Sequence, residues 1–322
     1  MTALPDAART AARRAGRGAA ALAFAAWALI VIGALVRAHG AGLSCPDWPL
    51  CHGQLVPEFD AKIALEWGHR AIAGTLSFGV ALLGVVIFGR RALRERFAAP
   101  LLVVVGLLAL QVVLGGLTVL LGLAPWTVTG HLLVGNSFAL GLAWLARDLL
   151  EATAGGPIAP PALGPRQRTL VWSAVALVFL QLALGGLVSS HYAGLACATF
   201  PLCNGDSLAP TFTGPIGLHV LHRLNGYAVA VVLALVALAL RDAGRAGRLA
   251  QLAFAGVMVQ IAVGAANVLL RVPVEITALH SFVAAGIFLT TGLLVREALR
   301  AARASATLPA APRGAHALGG AR

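Results

Sequence analysis

Apolar residues fall along this chain in long unbroken runs, cut by short polar segments rich in arginine, glycine and proline. The runs near 19–37, 64–89, 99–121, 127–147, 169–188, 217–240, 248–270 and 275–295 are each about 20 residues long. A helix of that length crosses the hydrocarbon core of a bilayer, so the pattern predicts eight transmembrane helices and no sheet. The first run is long and lacks a small-residue cleavage site, which argues against a removable signal peptide. The Ala/Arg/Gly-rich ends, about 1–17 and 303–322, are expected to be disordered.

The pattern also repeats. Residues 39–51 read HGAGLSCPDWPLC and residues 191–203 read HYAGLACATFPLC, which places Cys45 and Cys51 each 152 positions before Cys197 and Cys203. His69-Arg70 recurs as His222-Arg223, and Gln111, Gly115 and His131 recur as Gln260, Gly264 and His280. Each copy holds four runs, and an even number of crossings returns the chain to its starting side. The copies therefore share one orientation. The fold class expected is an all-α integral membrane protein of two tandem four-helix bundles, related by a pseudo-two-fold axis along the membrane normal. The division expected is a tail (1–18), a first half (19–147), a Gly/Pro-rich linker (148–168), a second half (169–295) and a closing tail (296–322).

Composition agrees: 59% of residues are hydrophobic and 11% charged. The net charge of +12 suggests nucleic acid until the charges are placed. Nineteen of the 24 basic residues fall before span one, after spans two, four and six, or beyond span eight, all on one side of the membrane. That bias puts both termini in the cytoplasm and makes the plasma membrane, with its anionic headgroups, the partner for the charge; nucleic acid is excluded. The loops 38–63 and 189–216 then face outward, and they hold all four cysteines. On an oxidising face Cys45–Cys51 and Cys197–Cys203 are natural local disulfides, although two other pairings exist in principle.

His69 and His131 each lie about four or five residues inside a span from the outer end, roughly 6–8 Å deep. His222 and His280 fall at the same places in the second copy. A lone histidine in a span is usually an interhelical hydrogen-bonding group. Four at duplicated positions and equal depth point instead to axial ligation of haem iron, two per half. Zinc would need three or four converging ligands. The glycines Gly115-Gly116, Gly185-Gly186 and Gly264 allow close approach of a flat macrocycle or a neighbouring helix.

One asymmetry carries chemistry. Glu66 stands three residues before His69, on the same helical face, whereas His219 takes that place before His222. A carboxylate beside a haem can move protons or stabilise a developing cation, and its plain alternative is a salt bridge with Arg70. Arg70 and Arg223 are candidates for propionate contacts or for snorkelling to the interface. His39 and His191 match across the repeat and read as surface residues at loop entrances; His52 has no counterpart, since Asn204 stands there, and His316 is in the tail. His219 is a candidate second partner for the ligand beside it.

At GLSCPDWPLC (42–51), EWGHR (66–70), GLACATFPLC (194–203), HVLHR (219–223), His131 and His280 the chain resembles the haem A synthase family, over about 30–295. The resemblance implies an oxidoreductase acting on a CH group. It would convert haem O to haem A by two hydroxylations of the C8 methyl and loss of water to the formyl, supplying haem A for cytochrome oxidase assembly. His69 and His131 would bracket the haem O substrate, His222 and His280 would ligate a resident haem b, and Glu66 would be catalytic. The implied partners are haem O, the protohaem farnesyltransferase that makes it, an electron donor and a second copy of the chain. The rival reading is a di-haem electron-transfer cytochrome.

Overall fold

The computed structural model describes residues 4–58, 60–154, 163–205 and 207–307. Eight α-helices carry the fold: α1 (Asp6–Ala38), α2 (Ala61–Phe88), α3 (Arg91–Leu120), α4 (Pro125–Glu151), α5 (Pro165–Ser190), α6 (Gly214–Ala239), α7 (Arg245–Leu269) and α8 (Val274–Thr307). All eight are long and apolar enough to cross a membrane, and no strand forms among the described residues. This is a multi-pass membrane protein.

Local chemistry sets the starts. The Asp60 carboxylate caps α2, accepting from the N–H groups of Lys62 and Ile63 at 2.8 Å each. Pro125 and Pro165 open α4 and α5, where a missing N–H costs nothing.

Several helices outrun their apolar runs. α1 begins at Asp6, so the expectation of disorder over residues 6–17 is overturned. Ala8, Ala11, Ala12, Ala15 and Ala19 are buried there, and a side chain at Gly16 would collide with Leu149 and Leu150 of α4. Alanine and arginine favour helix, and the alanine stripe lets two backbones approach closely. α8 likewise continues to Thr307, so residues 303–307 are also helical; residues 308–322, which include His316, lie outside the described residues.

Packing is local. α1 packs on α2 and α4, and α3 on α2 and α4. α5 packs on α6 and α8, and α7 on α6 and α8. The two sets meet where α1 touches α8 and where α4 touches α5 and α8. The diagonal pairs α2/α4 and α6/α8 make no extensive contact among the described residues, and these four helices carry the predicted ligands. One apolar cluster joins side chains such as Leu76, Ile87, Leu101 and Leu142 of α2–α4; a second joins Val171, Leu233, Val257 and Leu294 of α5–α8.

Both ends of the seam between the sets are polar. At one end Arg37 of α1 donates to the Ser189 carbonyl at 2.8 Å and lies over the Tyr192 ring. At the other, Arg296 pairs with Asp148 and with Glu151 (2.7 Å), while Arg245 joins Glu151 (2.8 Å) to Glu297 (2.7 Å). Arg296 and Glu297 are buried. Buried ions of this kind persist only when every member is paired. Several arginines of the charge bias thus tie α4, α7 and α8 together.

Candidate haem-ligand sites and the cysteine loops

Both disulfides form as expected, Cys45–Cys51 and Cys197–Cys203, each with a Cα–Cα distance of 4.6 Å. Each closes a tight loop that ends in a short bridge, Cys51 with Gln54 and Cys203 with Ser207. In the first loop Asp47 accepts from the N–H groups of Gly53 (2.8 Å) and His52 (2.7 Å). Those two donors, Gly53 first, hold the Asp47 carboxyl below its ordinary value. The His52 ring reaches back to the Ser44 carbonyl at 2.9 Å. In the second loop Asn204 stands at the His52 position and reaches back to the Ala196 carbonyl at 3.1 Å. His52 therefore has a working counterpart that a search for a second histidine misses. His39 bonds the Leu35 carbonyl at the end of α1, and His191 ends α5.

An arginine grips each loop from the helix beneath. Arg70 donates to the carbonyls of Asp47 (2.8 Å), Leu50 (2.7 Å) and Cys45 (2.9 Å), and to Glu66 Oε1 (2.6 Å). Arg223 donates to the carbonyl of Cys197 at 2.8 Å and, at longer range, to Leu202 at 3.4 Å. Glu66 is buried, and its second oxygen accepts from the Cys45 N–H at 2.9 Å. The salt bridge weighed as the plain alternative for Glu66 is thus present, and the carboxylate also holds the disulfide loop. His219 bonds the Ala193 carbonyl at 3.0 Å and not the neighbouring ligand candidate. Of the donors on Arg70, only Nε is left for any propionate.

The four predicted imidazoles share one seat. Each rests its Cε1 edge against a glycine of the neighbouring helix. A Cβ built on that glycine would stand 3.2 Å from His69 (at Gly33), 3.0 Å from His131 (at Gly115), 3.2 Å from His222 (at Gly185) and 3.2 Å from His280 (at Gly264). Gly115, Gly185 and Gly264 were legible from the repeat; Gly33 is recognisable only as the match of Gly185. Of the remaining glycines, Gly116 faces the Trp48 ring of the first loop and Gly186 faces Thr129 of α4.

In the second set the rings pair across the unpacked diagonal. His222 and His280 lie with ring centroids 6.4 Å apart. That separation suits one metal ion bound from both sides with metal–nitrogen bonds of about 2 Å. The Nδ1 atoms of His69, His131 and His280 are buried without a hydrogen-bond partner. Buried polar atoms rarely stay unpaired in a finished site. Among the described residues no three His, Cys, Asp or Glu side chains converge to hold a metal on their own. Two imidazoles suffice only for a metal that brings its remaining ligands with it, as a haem does. The residues present fit that group.

The comparisons with known proteins agree. The model of the cytochrome oxidase assembly protein family matches residues 18–291. Among curated relatives, the heme A synthase of Shewanella oneidensis is 31% identical, over 81% of this chain and 90% of its own length. That of Rhizobium etli is 28% identical, over 80% of this chain and 82% of its own. The chain belongs to the haem A synthase family. The heme A synthase of Symbiobacterium thermophilum, 31% identical over 64% of this chain, is a third relative.

Two groups near these histidines escaped the reading of the sequence. Gln181 of α5 was not singled out, and Gln111 was noted only as part of the repeat. The Gln111 amide nitrogen lies 3.2 Å from His131 Nε2, and that of Gln181 lies 3.2 Å from His222 Nδ1. The available signal was a lone amide in an apolar span, four residues before a glycine that seats a histidine.

Proposed function

We propose that the chain converts haem O to haem A, with α1–α4 forming the substrate half and α5–α8 the half that keeps a haem b. His69 and His131 would hold the iron of haem O; His222 and His280 would hold haem b. The observation that carries the reading is the set of four glycine-seated imidazoles at repeated positions, in a member of this family, with a buried carboxylate beside only one pair. Haem b would supply one-electron transfer. Each hydroxylation, with dioxygen as oxidant, would take two electrons from a donor, so a route for electrons into the substrate site is needed.

The chain's own part is positioning and electrostatics. The glycine seats fix where each imidazole stands. Glu66, gripped by Arg70 and the Cys45 N–H, is a fixed negative charge one turn from His69. A fixed carboxylate stabilises positive charge developing on a neighbouring carbon without reorganising during the reaction. The Cys45 loop closes the site above it. The arginine bias supports cytoplasmic termini and loops on the outer face of the plasma membrane, with haem O delivered from the farnesyltransferase that makes it.

The test is mass spectrometry of haems extracted from membranes that express this chain with a haem O synthase, in a host lacking haem A. Haem A, with or without a hydroxymethyl intermediate, is expected. A folded, haem-loaded protein that leaves haem O unchanged, with an electron donor supplied, would overturn it. That result would favour the di-haem electron-transfer cytochrome, which the commitment of both Glu66 oxygens to structural partners also supports.

A further inference from the structure

The two halves differ in how their second and third helices face each other. Among the described residues α2 and α3 touch least of all consecutive helices, and α6 and α7 touch more. Leu101, Val105, Ala109, Val112 and Gly116 fall at helical spacing and share one face of α3. Both ends of that face are held against α2 or the loop tied to it. Leu101 meets Gly84 of α2, whose Cβ position stands 4.0 Å from Leu101 Cδ2. Gly116 takes the Trp48 ring, 3.1 Å from its Cβ position, and Arg70 of α2 grips the carbonyl of Asp47 beside that tryptophan. Between these two ends the face stands exposed: Val105 and Val112 are each 41% exposed, and Ala109 is exposed as well. On α2, Ala73 and Ser77 share the face of Gly84, and the Ser77 hydroxyl is returned to the Ala73 carbonyl at 2.8 Å. Both walls of the gap are therefore apolar.

The matched face of α7 is filled. Ala250, Phe254, Met258, Ile261 and Ala265 stand at the places of Leu101, Val105, Ala109, Val112 and Gly116. Each of the last four is larger than its mate, Phe254 packs on the second apolar cluster, and Ile261 is half-buried. At the base the order reverses, with Ala250 where Leu101 stands. Helix separation follows the size of the side chains at the contact, so a leucine at the base holds α3 off α2 and an alanine lets α7 come closer. The gap of the first half is also continuous with the ligand seat. Gly116 adjoins Gly115, which seats His131, and Arg70 adjoins His69; Nδ1 of both histidines is buried without a partner.

We propose that the α2/α3 gap is the groove that takes the isoprenoid tail of haem O and admits the substrate sideways from the bilayer, whereas the filled α6/α7 face restricts the second half to a haem without a tail. The inference rests on the haem A synthase reading above and deepens it. Val105, Ala109 and Val112 are specificity-determining residues. From Val105 to Val112 the face runs roughly 10 Å along the helix axis, starting below Trp48. An apolar tail gains little by exchanging lipid for protein, so the groove contributes by fit. It lets the tail leave the bundle without displacing a helix. Phe254, Met258 and Ile261 act in the opposite sense, rejecting a tail by occupying its place.

The test uses the full chain expressed with a haem O synthase and purified, with its haems extracted and identified by mass spectrometry. Haem O, together with any haem A formed from it, is counted per protein beside haem b. Val105→Phe/Val112→Phe should lower the haem O content about tenfold or more and leave haem b unchanged. Val103→Phe, the same change at a position 62% exposed on the far side of α3, should leave both unchanged. Undiminished haem O in the double variant, or an equal fall in Val103→Phe, overturns the proposal. If the double variant loses haem b as well, Ala109→Met decides, because it installs only the residue that α7 carries at the matched place. A fall in haem O alone then supports the groove, and any other result overturns it. A wild-type protein that loads no haem O overturns the synthase reading and this one together; a wild type that loads haem O, with variants that load as much, overturns this one alone.

Discussion

The two cysteine loops share a backbone and differ in how their polar side chains hold it. Both close a disulfide over six residues, carry a cis proline at matched places and turn through a positive φ at His52 or Asn204. The first is held by charge: Asp47 from within, Arg70 from below with three loop carbonyls, and Glu66 on the Cys45 N–H. The second uses neutral groups in the same roles, Thr199 for Asp47 and Asn204 for His52, and its arginine makes fewer short bonds. Charge-assisted hydrogen bonds are about twice as strong as neutral ones. The difference teaches that the first loop is built around the Glu66 carboxylate, while the second only needs to stay closed.

The hardest way to break the comparison is at its charged centre. Glu66→Ala should lower haem A yield about 10²–10⁴-fold with haem binding retained, whereas His219→Ala should leave yield within a few-fold of wild type. Haem extraction and mass spectrometry check both, and a normal yield from Glu66→Ala removes the reason for treating the loops as different in function.

Next in size is the seam that holds the two sets of helices in register. Arg296→Met takes an ion-pair partner from Asp148, Glu151 and Glu297, although Arg245 still joins the last two, and should cost about 1.5–3 kcal/mol, seen as a fall in melting temperature in detergent. Replacing Arg241, which makes an exposed ion pair with Asp242, should change it little.

Arg70→Ala and Arg223→Ala sharpen the loop comparison. Losing charged bonds worth about 1.5–3 kcal/mol each should raise amide exchange over 44–54 in the first variant. The second should raise it less over 196–207. Equal effects would mean that the extra carbonyl contacts of Arg70 contribute nothing.

The smallest effect is the pH response. The Asp47 carboxyl sits below its ordinary value of 3.8, so its contribution is fully present above that value and is lost as pH falls through its folded value. The first loop should loosen in acid, by amide exchange at 51–54 corrected for intrinsic rates. The second loop, with Thr199 at that place, should not.

Much of this was legible in order. Hydropathy alone located all eight helices, and the repeat matched the cysteines at an offset of 152 residues and the histidines at offsets of 153 and 149. What was illegible has physical reasons. Residues 6–17 read as a polar tail because composition cannot show that an alanine stripe has a neighbouring helix to pack on. Arg70 and Arg223 read as propionate contacts or as snorkelling side chains, because an arginine's reach covers a propionate, the interface and a loop carbonyl alike. Asn204 did not read as the mate of His52 because an amide and an imidazole look unrelated until both are seen on the same carbonyl.

The sequence by itself determined which segments enter the membrane, that one unit occurs twice, and which side chains could ligate. These follow from transfer free energy and residue identity, which are local. Only the tertiary structure decided what each long polar side chain does. Gln111 and Gln260 are the same residue at the same repeat position, yet one meets a ring and the other a backbone carbonyl. Gln111 packs against Gly135, where a Cβ would stand 2.8 Å from its amide nitrogen. Which neighbour lies opposite a long polar side chain is known only once the helices have packed.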